Sequence, residues 1–402
     1  MDRRGFLTQS LAMGCSLAAS PLVTPVAFAS APGEARLVVL ILRGAMDGLG
    51  AVMPYGDPGY AALRGALPEG AVDLGGFYAL HPGLAPLEPL WRAGQLGFVH
   101  AVSTPYRDKR SHFDGQDWLE AGISDMSGGL GRDGWLNRML PLLGGARADT
   151  AYAIGNDAMA VLHGPAPVAR WSPDTDLTLS PQALRLAQLV MQDDPAMARA
   201  LATAFDLADS DGDPVAFTGS QAEMMSMMRA DAKAARGSGA ETRMAEFAAA
   251  RLREDARIAS FSINGWDTHA NQARGLTRSL DALSQTILTL KGGLGDAWDQ
   301  TAVVAVTEFG RTVRLNGTKG TDHGTGGAMI LAGGAVRGGQ VVSQWPGLAE
   351  ADLYERRDLM PTRDLRAHLG WIMRGLFGLD GSDIAATVFP GLDLGADPKL
   401  LL

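Results

Sequence analysis

The chain has a single cysteine, Cys15, among its 402 residues. Cys15 lies in an N-terminal stretch that we expect to be removed, so disulfides, thiolate nucleophiles and zinc–cysteine sites are excluded from the remaining chain. No stretch approaches the ~20 consecutive apolar residues of a membrane-spanning helix, and we expect no stable transmembrane segment in the mature protein. Positive charge is also scarce, with 35 Lys and Arg against 44 Asp and Glu. Because no basic block stands out, we expect no nucleic-acid partner.

The N-terminus has the pattern of an export signal. Arg3 and Arg4 precede a weakly apolar run from Leu11 to Phe28, as in twin-arginine signal peptides. The run ends in Ala27-Phe28-Ala29, a small-x-small site for a signal peptidase. We predict a twin-arginine signal peptide at residues 1–29, the twin-arginine translocase as export partner, and a periplasmic or otherwise exported protein. The alternative is a short anchor that stays attached, although glycine, serine and proline in the run disfavour it.

The remaining chain alternates between two patterns. Continuous apolar runs, which are typical of strands buried on both faces, occur at Arg36–Leu42, Leu96–Val102, Ile258–Ile263, Ala302–Val306 and Ala328–Leu331. Stretches with helical periodicity separate them, and this alternation predicts an α/β fold with a mostly parallel central sheet covered on both sides. We predict one domain at residues 30–402, with a helical insertion at about 172–255.

Polar side chains gather where these runs end. Asp47 follows the first run, Asp267 and His269 follow another, Glu308 follows a third, and His323 precedes the last. In open α/β sheets ligands collect outside the carboxyl ends of the strands. Carboxylates and imidazoles that several strand ends bring to one edge are the ligands of a divalent metal site.

Several motifs carry a family resemblance. They are Leu42–Leu49 (LRGAMDGL), Leu80–Leu87 (LHPGLAPL), Arg110–Asp117 (RSHFDGQD), Gly134–Arg138 (GWLNR), Gly265–His269 (GWDTH), Thr307–Arg311 (TEFGR) and Gly320–Gly324 (GTDHG). With them the chain resembles the exported bacterial proteins of domain of unknown function 1501, from about residue 36 to Gly391. That family is placed with the alkaline phosphatase and sulfatase superfamily. The resemblance implies an alkaline-phosphatase-like α/β/α sandwich that hydrolyses phosphate or sulfate esters with one or two metal ions.

The resemblance also implies metal ligands. Asp47 stands where the superfamily has its first metal aspartate, and Asp267 with His269 is similar to a later Asp-x-x-x-His pair, here spaced Asp-x-His. Glu308 and Phe309 replace an Asp-His pair. His323 resembles the final histidine ligand, with Asp322 beside it. The implied cofactor is a divalent ion, with zinc, manganese, calcium and iron left open.

Two serines are candidates for the nucleophile. Ser103 begins a Ser-x-Pro-x-Arg pattern, which resembles the motif of sulfatases whose serine is oxidised to formylglycine. Ser111 lies in the stretch most typical of the family, beside the imidazole of His112, and is slightly preferred. Arg110 and Arg311 are candidates to bind an oxyanion through bidentate contacts, or else to form buried ion pairs with strand-end carboxylates.

The sequence thus predicts an exported metal-dependent hydrolase that acts on an anionic ester or polymer. One alternative is a catalytically degenerate binding or accessory protein that keeps the fold, which the Asp-x-His spacing and Phe309 favour. Another is copper handling through the thioethers of Met224, Met225, Met227 and Met228, although such clusters are more often adaptable contact surface.

Overall fold

The computed structural model describes residues 33–107, 109–125, 133–173 and 239–402. The predicted signal peptide, most of the predicted helical insertion and the methionine cluster lie outside these residues. Within the described ranges, no helix is both long and apolar enough to cross a membrane.

A nine-stranded sheet forms the centre of the fold, and a three-stranded sheet lies apart from it. In chain order the strands are β1 (Arg36–Arg43), β2 (Val52–Met53), β3 (Val72–Asp73), β4 (Ala79–Leu80), β5 (Leu96–Ser103), β6 (Ala151–Ile154), β7 (Ala169–Trp171), β8 (Ile258–Asn264), β9 (Thr301–Val306), β10 (Gly327–Ala332), β11 (Val341–Val342) and β12 (Arg363–Asp364). The small sheet consists of β2, β4 and β3.

The central sheet is largely parallel, as the sequence predicts. Its order is β11-β5-β10-β9-β1-β8-β6-β7, and β12 pairs beside β11 with β5. β10 runs antiparallel to both of its neighbours, β5 and β9, while the other pairs are parallel. The segment that leads into β10 therefore lies at the edge where β9 ends, which brings the start of one strand to the carboxyl ends of the others.

Helices occupy both faces of the sheet. In chain order they are α1 (Gly48–Ala51), α2 (Tyr60–Arg64), α3 (Glu88–Arg92), α4 (His112–Ala121), α5 (Trp135–Met139), α6 (Ala240–Arg253), α7 (Gln272–Leu294), α8 (Leu365–Phe377) and α9 (Gly381–Asp383). Short 3-10 turns join several of them, and a π-helical turn at Ile384–Val388 follows α9.

The side chains of β1 show how the layers form. Val38, Leu40 and Leu42 pack into one hydrophobic cluster together with α6 and α7. Their neighbours in sequence pack into the opposite cluster together with α5 and α8. Because successive strand residues point to opposite faces, a continuous apolar run supplies both cores at once. The result is a sheet between two helical layers, in agreement with the predicted sandwich.

Candidate metal centre

One edge of the sheet gathers the predicted polar residues. Asp267 and His269 lie in the loop after β8, and Glu308 and Arg311 follow β9. Two further histidines come from elsewhere: His112 is the first residue of α4, and His323 precedes β10. The antiparallel direction of β10 is what brings His323 to the same edge as the carboxyl ends of β8 and β9.

Three imidazoles surround one carboxylate oxygen. The distance from the histidine Nε2 atom to Asp267 Oδ1 is 3.5 Å for His112, 3.1 Å for His269 and 3.5 Å for His323. His112, Asp267 and His323 each offer a ligand atom within 4.8 Å of the others, which is a spacing that could hold a metal ion. The Nε2 atoms of His269 and His323 are 2.8 Å apart. We call these four side chains the histidine cluster.

Each imidazole of the cluster is oriented through its other nitrogen. His112 Nδ1 lies 2.8 Å from Glu308 Oε1. His269 Nδ1 lies 3.2 Å from Asp322 Oδ1. His323 Nδ1 lies 2.6 Å from the carbonyl oxygen of Arg110. Metal-binding histidines typically donate their second N–H to such acceptors, which fixes the tautomer and leaves Nε2 free to bind. The cluster therefore has both an inner set of donor atoms and the outer acceptors that orient them.

The surroundings shift the pKa values of the cluster in different directions. The hydrogen bond with buried Glu308 raises the pKa of His112, against the effect of burial. Burial lowers the pKa of His323. Burial alone would raise the pKa of Asp267, but the hydrogen bond and charge of Arg311 lower it below its ordinary value. The site thus holds an ionised aspartate beside a histidine that is readily kept neutral.

Two glycines allow the loops of the cluster to approach each other. The N–H of Gly310 donates to the carbonyl of Thr325, and that of Gly324 donates to the carbonyl of Gly310. A Cβ at Gly310 would lie 1.9 Å from the carbonyl oxygen of Gly326, and one at Gly324 would lie 2.4 Å from the carbonyl carbon of Arg311. Only glycine fits these contacts, and they place Phe309 and Arg311 beside His323.

Arg311 forms a buried ion pair with a strand-end carboxylate, which was one of the two roles that the sequence left open; the other was oxyanion binding. Its side chain is fully buried, and Nη1 donates to Asp267 Oδ1 over 2.9 Å. The rest of the guanidinium donates to the hydroxyl and the carbonyl of Thr321. Arg311 therefore holds Asp267 at the centre of the cluster.

Asp47 is occupied by other partners. Its carboxylate is 1% exposed and binds Arg64 at 2.5 Å and 3.0 Å. Gln272 donates to the same carboxylate at 2.5 Å. Burial would raise the pKa of Asp47, but the charge and hydrogen bonds of Arg64 lower it. Asp47 is an ionised carboxylate in a buried ion pair, and its predicted role as a metal ligand stays a prediction.

The predicted catalytic serines have structural hydrogen bonds. Ser111 is the N-cap of α4, where its hydroxyl accepts from the N–H of Asp114, and the Ser103 hydroxyl donates to the carbonyl of Thr104. The Arg110 side chain binds Glu355 and Asp358 at 2.5 Å and 3.2 Å. Among the described residues, neither serine hydroxyl hydrogen-bonds to an imidazole of the cluster.

Sequence reasoning missed Gln116, although its spacing contains a signal. Gln116 follows His112 by four residues in α4, so both side chains lie on one helical face. Its amide donates to Glu308 Oε1 over 3.2 Å and accepts from Arg43 over 2.8 Å. Phe309 is 4% exposed and stacks on the imidazole of His112 at 5.2 Å between ring centroids. It forms an apolar wall beside the cluster.

Part of the chain matches a known protein family. Residues 103–385 match the family described as "Protein of unknown function (DUF1501)". No curated protein matches the chain.

Three solved structures are similar at low identity. A protein in the alkaline phosphatase superfamily from Vibrio parahaemolyticus is 14% identical, covers 83% of this chain and 69% of its own, and gives a TM-score of 0.34. The C-terminal periplasmic domain of EptC from Escherichia coli, in complex with zinc, is 12% identical over 76% of this chain and 75% of its own, with a TM-score of 0.33. The lipoteichoic acid synthase LtaP from Listeria monocytogenes is 9% identical over 93% and 77% respectively, with a TM-score of 0.37.

Proposed function

The chain belongs to the DUF1501 family, whose description names no reaction, and we propose that it is an exported, metal-dependent hydrolase of phosphate or sulfate esters. The observation that carries the proposal is the arrangement of the histidine cluster. Three Nε2 atoms face one oxygen of Asp267, and each matching Nδ1 atom is held by an acceptor outside the cluster.

In the part of the chain that the structure describes, the cluster contains a buried nitrogen atom without a hydrogen-bond partner, which a divalent ion would bind. His112 Nε2 is buried without a hydrogen-bond partner among the described residues, and such a group costs free energy unless a ligand satisfies it. His112, Asp267 and His323 would hold the ion. Imidazole together with carboxylate suits zinc, iron or manganese better than calcium, which takes oxygen ligands.

In the proposed reaction the ion would activate the ester and a water molecule, and the protein would position the ligands and transfer a proton. A bound divalent ion would polarise an ester oxygen and lower the pKa of a water molecule. Arg311 holds Asp267 in its ionised form, and Glu308 orients the imidazole of His112. His269 is 46% exposed at its side chain, and Asp322 fixes its Nδ1. We assign His269 to proton transfer at Nε2, because a positioned imidazole on the open side of a site can reach a substrate.

The first experiment measures metal in the exported protein, purified without chelator or affinity-tag metal. We expect about one equivalent of a transition metal per chain and its loss in the His112→Ala/His323→Ala variant. The matched control is His163→Ala, which removes an exposed imidazole outside the cluster. Absence of metal after incubation with zinc, manganese and iron would contradict the metal-dependent part of the proposal.

Turnover is tested next with phosphate and sulfate monoesters. The Ser111→Ala and Ser103→Ala variants are informative here. If the serines act only through their structural hydrogen bonds, both variants keep turnover, and Ser111→Ala loses about 1 kcal/mol of stability as an N-cap change. Complete loss of turnover in a folded serine variant would identify that serine as the nucleophile.

A second candidate function is binding without turnover. It is supported by the ion pair of Asp47 with Arg64 and by the hydrogen bonds of Ser103 and Ser111 within their own segments. These contacts engage the side chains that the sequence predicts as a metal ligand and as candidate nucleophiles. Metal that is bound in full, together with no turnover of any ester tested, would favour this function.

Export by the twin-arginine translocase is a separate part of the proposal. It is supported by Arg3-Arg4 and the apolar run that follows, as in twin-arginine signal peptides. The test compares the cellular fraction that contains the wild type with that of an Arg3→Lys/Arg4→Lys variant. We expect the variant to stay in the cytoplasm, and unchanged export would contradict this route.

A further inference from the structure

A cavity of about 360 Å³ lies outside the histidine cluster. It is lined by residues 103–105 and 107, which contain the Ser-x-Pro-x-Arg pattern, and by residues 361–364. No member of the histidine cluster lines it. The function proposed above assigns no role to the two arginines of the cavity, Arg107 and Arg363, and considers only Ser103 of its lining, as a candidate nucleophile.

Hydrogen bonds to backbone carbonyls hold both arginines in place, and each guanidinium still has N–H groups that these bonds do not use. Arg107 Nη1 donates to the carbonyl oxygens of Thr104 and Tyr106 at 2.6 Å and 2.7 Å. Arg363 Nη2 donates to those of Leu394 and Ala396 at 2.6 Å and 2.7 Å. A guanidinium has five N–H donors, so each arginine retains N–H groups that no hydrogen bond of the described residues uses.

The charge of these arginines is not neutralised at close range. Within the described parts of the chain, no carboxylate oxygen lies within 4.0 Å of either guanidinium. The carboxylate that lines the cavity, Asp364, binds Arg366 at 2.7 Å and caps the start of α8. Asp393 and Asp397 act on Arg363, but only at longer range. Asp364 also acts on Arg107 at longer range. The cavity wall therefore has two fixed positive charges, and its one carboxylate makes its close ion pair with a third cation, Arg366.

We propose that this cavity binds a tetrahedral oxyanion, a phosphate or sulfate group, through Arg107 and Arg363. Guanidinium groups bind such anions through paired N–H donors. The N-terminus of α8, a helix of 13 residues, adds a favourable partial charge at the same wall. Ser103 also lines the cavity and adds a polar hydroxyl to it. In this proposal Ser103 contributes to anion binding and does not act as a nucleophile.

The proposal does not rest on metal-dependent hydrolysis, and its test separates the two. Binding of inorganic phosphate and, separately, of sulfate is titrated calorimetrically on the full mature chain at constant ionic strength. We expect saturable binding of one anion per chain, and the ratio of the two affinities identifies the preferred anion. Because a metal in the histidine cluster could also bind phosphate, the titration is repeated on the His112→Ala/His323→Ala variant, where we expect the same binding.

The decisive variant is Arg107→Gln, since Arg107 lies on an exposed loop and its replacement leaves the core unchanged. We expect a loss of affinity of at least tenfold, while the control Arg92→Gln, at an exposed ion pair on α3, leaves affinity unchanged. A second variant, Arg363→Gln, should act in the same direction, with circular dichroism to confirm folding. Unchanged affinity in folded Arg107→Gln, absence of saturable binding, or loss of binding only in the histidine variant would each overturn the proposal.

Discussion

His112 and Glu308 are joined by a 2.8 Å contact between Nδ1 and Oε1, although 196 residues separate them in the chain. Glu308 is fully buried at its side chain, and His112 is 23% exposed. Oε1 of Glu308 also accepts from the N–H of Gly44 and from Gln116. The carboxylate thus ties the ends of β1 and β9 to the first turn of α4 and fixes the direction in which His112 presents Nε2.

Glu308→Gln tests whether this contact supports metal binding. The amide keeps the size of the side chain and an acceptor for Nδ1–H but loses the charge that makes the imidazole a stronger ligand. Replacing an outer partner of this kind typically lowers metal affinity about 10- to 100-fold, and we expect the same here in a metal-competition titration. Glu88→Gln, at the exposed pair with Arg92, is the control. Equal affinities in the two variants would show that Glu308 serves the fold alone.

Asp47→Ala distinguishes a structural aspartate from a metal ligand. The change leaves Arg64, 5% exposed at its side chain, as a buried cation without a carboxylate, which typically costs about 3–5 kcal/mol. We expect denaturant unfolding to show a loss of this size, with metal content unchanged in the folded protein. Asp47→Ala/Arg64→Met should recover part of the stability because it removes the unpaired charge. A stable Asp47→Ala protein that has lost its metal would instead make Asp47 a ligand.

Much of the fold follows from the sequence for one physical reason. The five continuous apolar runs predicted as strands are β1, β5, β8, β9 and β10 within a residue or so at each end. A strand buried on both faces needs apolar side chains at every position, and that pattern is easily read. The strands β6 and β7 at the sheet edge are short, with four and three residues, and such lengths carry too little pattern to predict.

The site could be predicted in part. The rule that ligands collect at strand ends selected Asp267, Glu308 and His323, and the structure brings them to one edge. It could not indicate that Arg64, on the short helix α2, neutralises Asp47, or that Glu308 contacts His112. These distinctions depend on distances between segments that are far apart in the chain, and no local pattern encodes them.

Gly310→Ala tests whether the close approach of two loops builds the cluster. The added Cβ would lie 1.9 Å from the carbonyl oxygen of Gly326, so the backbone must move. Overpacking of this kind typically costs about 1–3 kcal/mol or more, and we also expect weaker metal binding because Glu308 and Arg311 would shift. Gly317→Ala is the matched control in a nearby loop, since a Cβ there meets nothing within 4 Å. Equal stability of the two variants would contradict the close approach.

His100 should make the protein sensitive to acid independently of the histidine cluster. Its ring lies in β5, where Nε2 contacts the carbonyl oxygens of Gly48 and Val52 at 3.2 Å and 3.1 Å, and Nδ1 accepts from the N–H of Ala101. One nitrogen donates and the other accepts, so this environment fits the neutral imidazole. Burial accordingly lowers the pKa of His100 from 6.5 to about 4.

The sign of the pH effect follows from this shift. The unfolded chain takes up a proton at His100 near pH 6.5, whereas the folded chain resists protonation until about pH 4. The contribution of His100 to stability is therefore complete above pH 6.5 and is lost as the pH falls through this window. A shift of this size corresponds to roughly 3 kcal/mol. We expect the free energy of unfolding of the wild type to fall faster between pH 6.5 and 4.5 than that of His100→Gln. The cluster and His368 are the same in both proteins, so the difference between the two slopes isolates His100. Parallel slopes would mean that the folded protein accommodates a charged ring at this position.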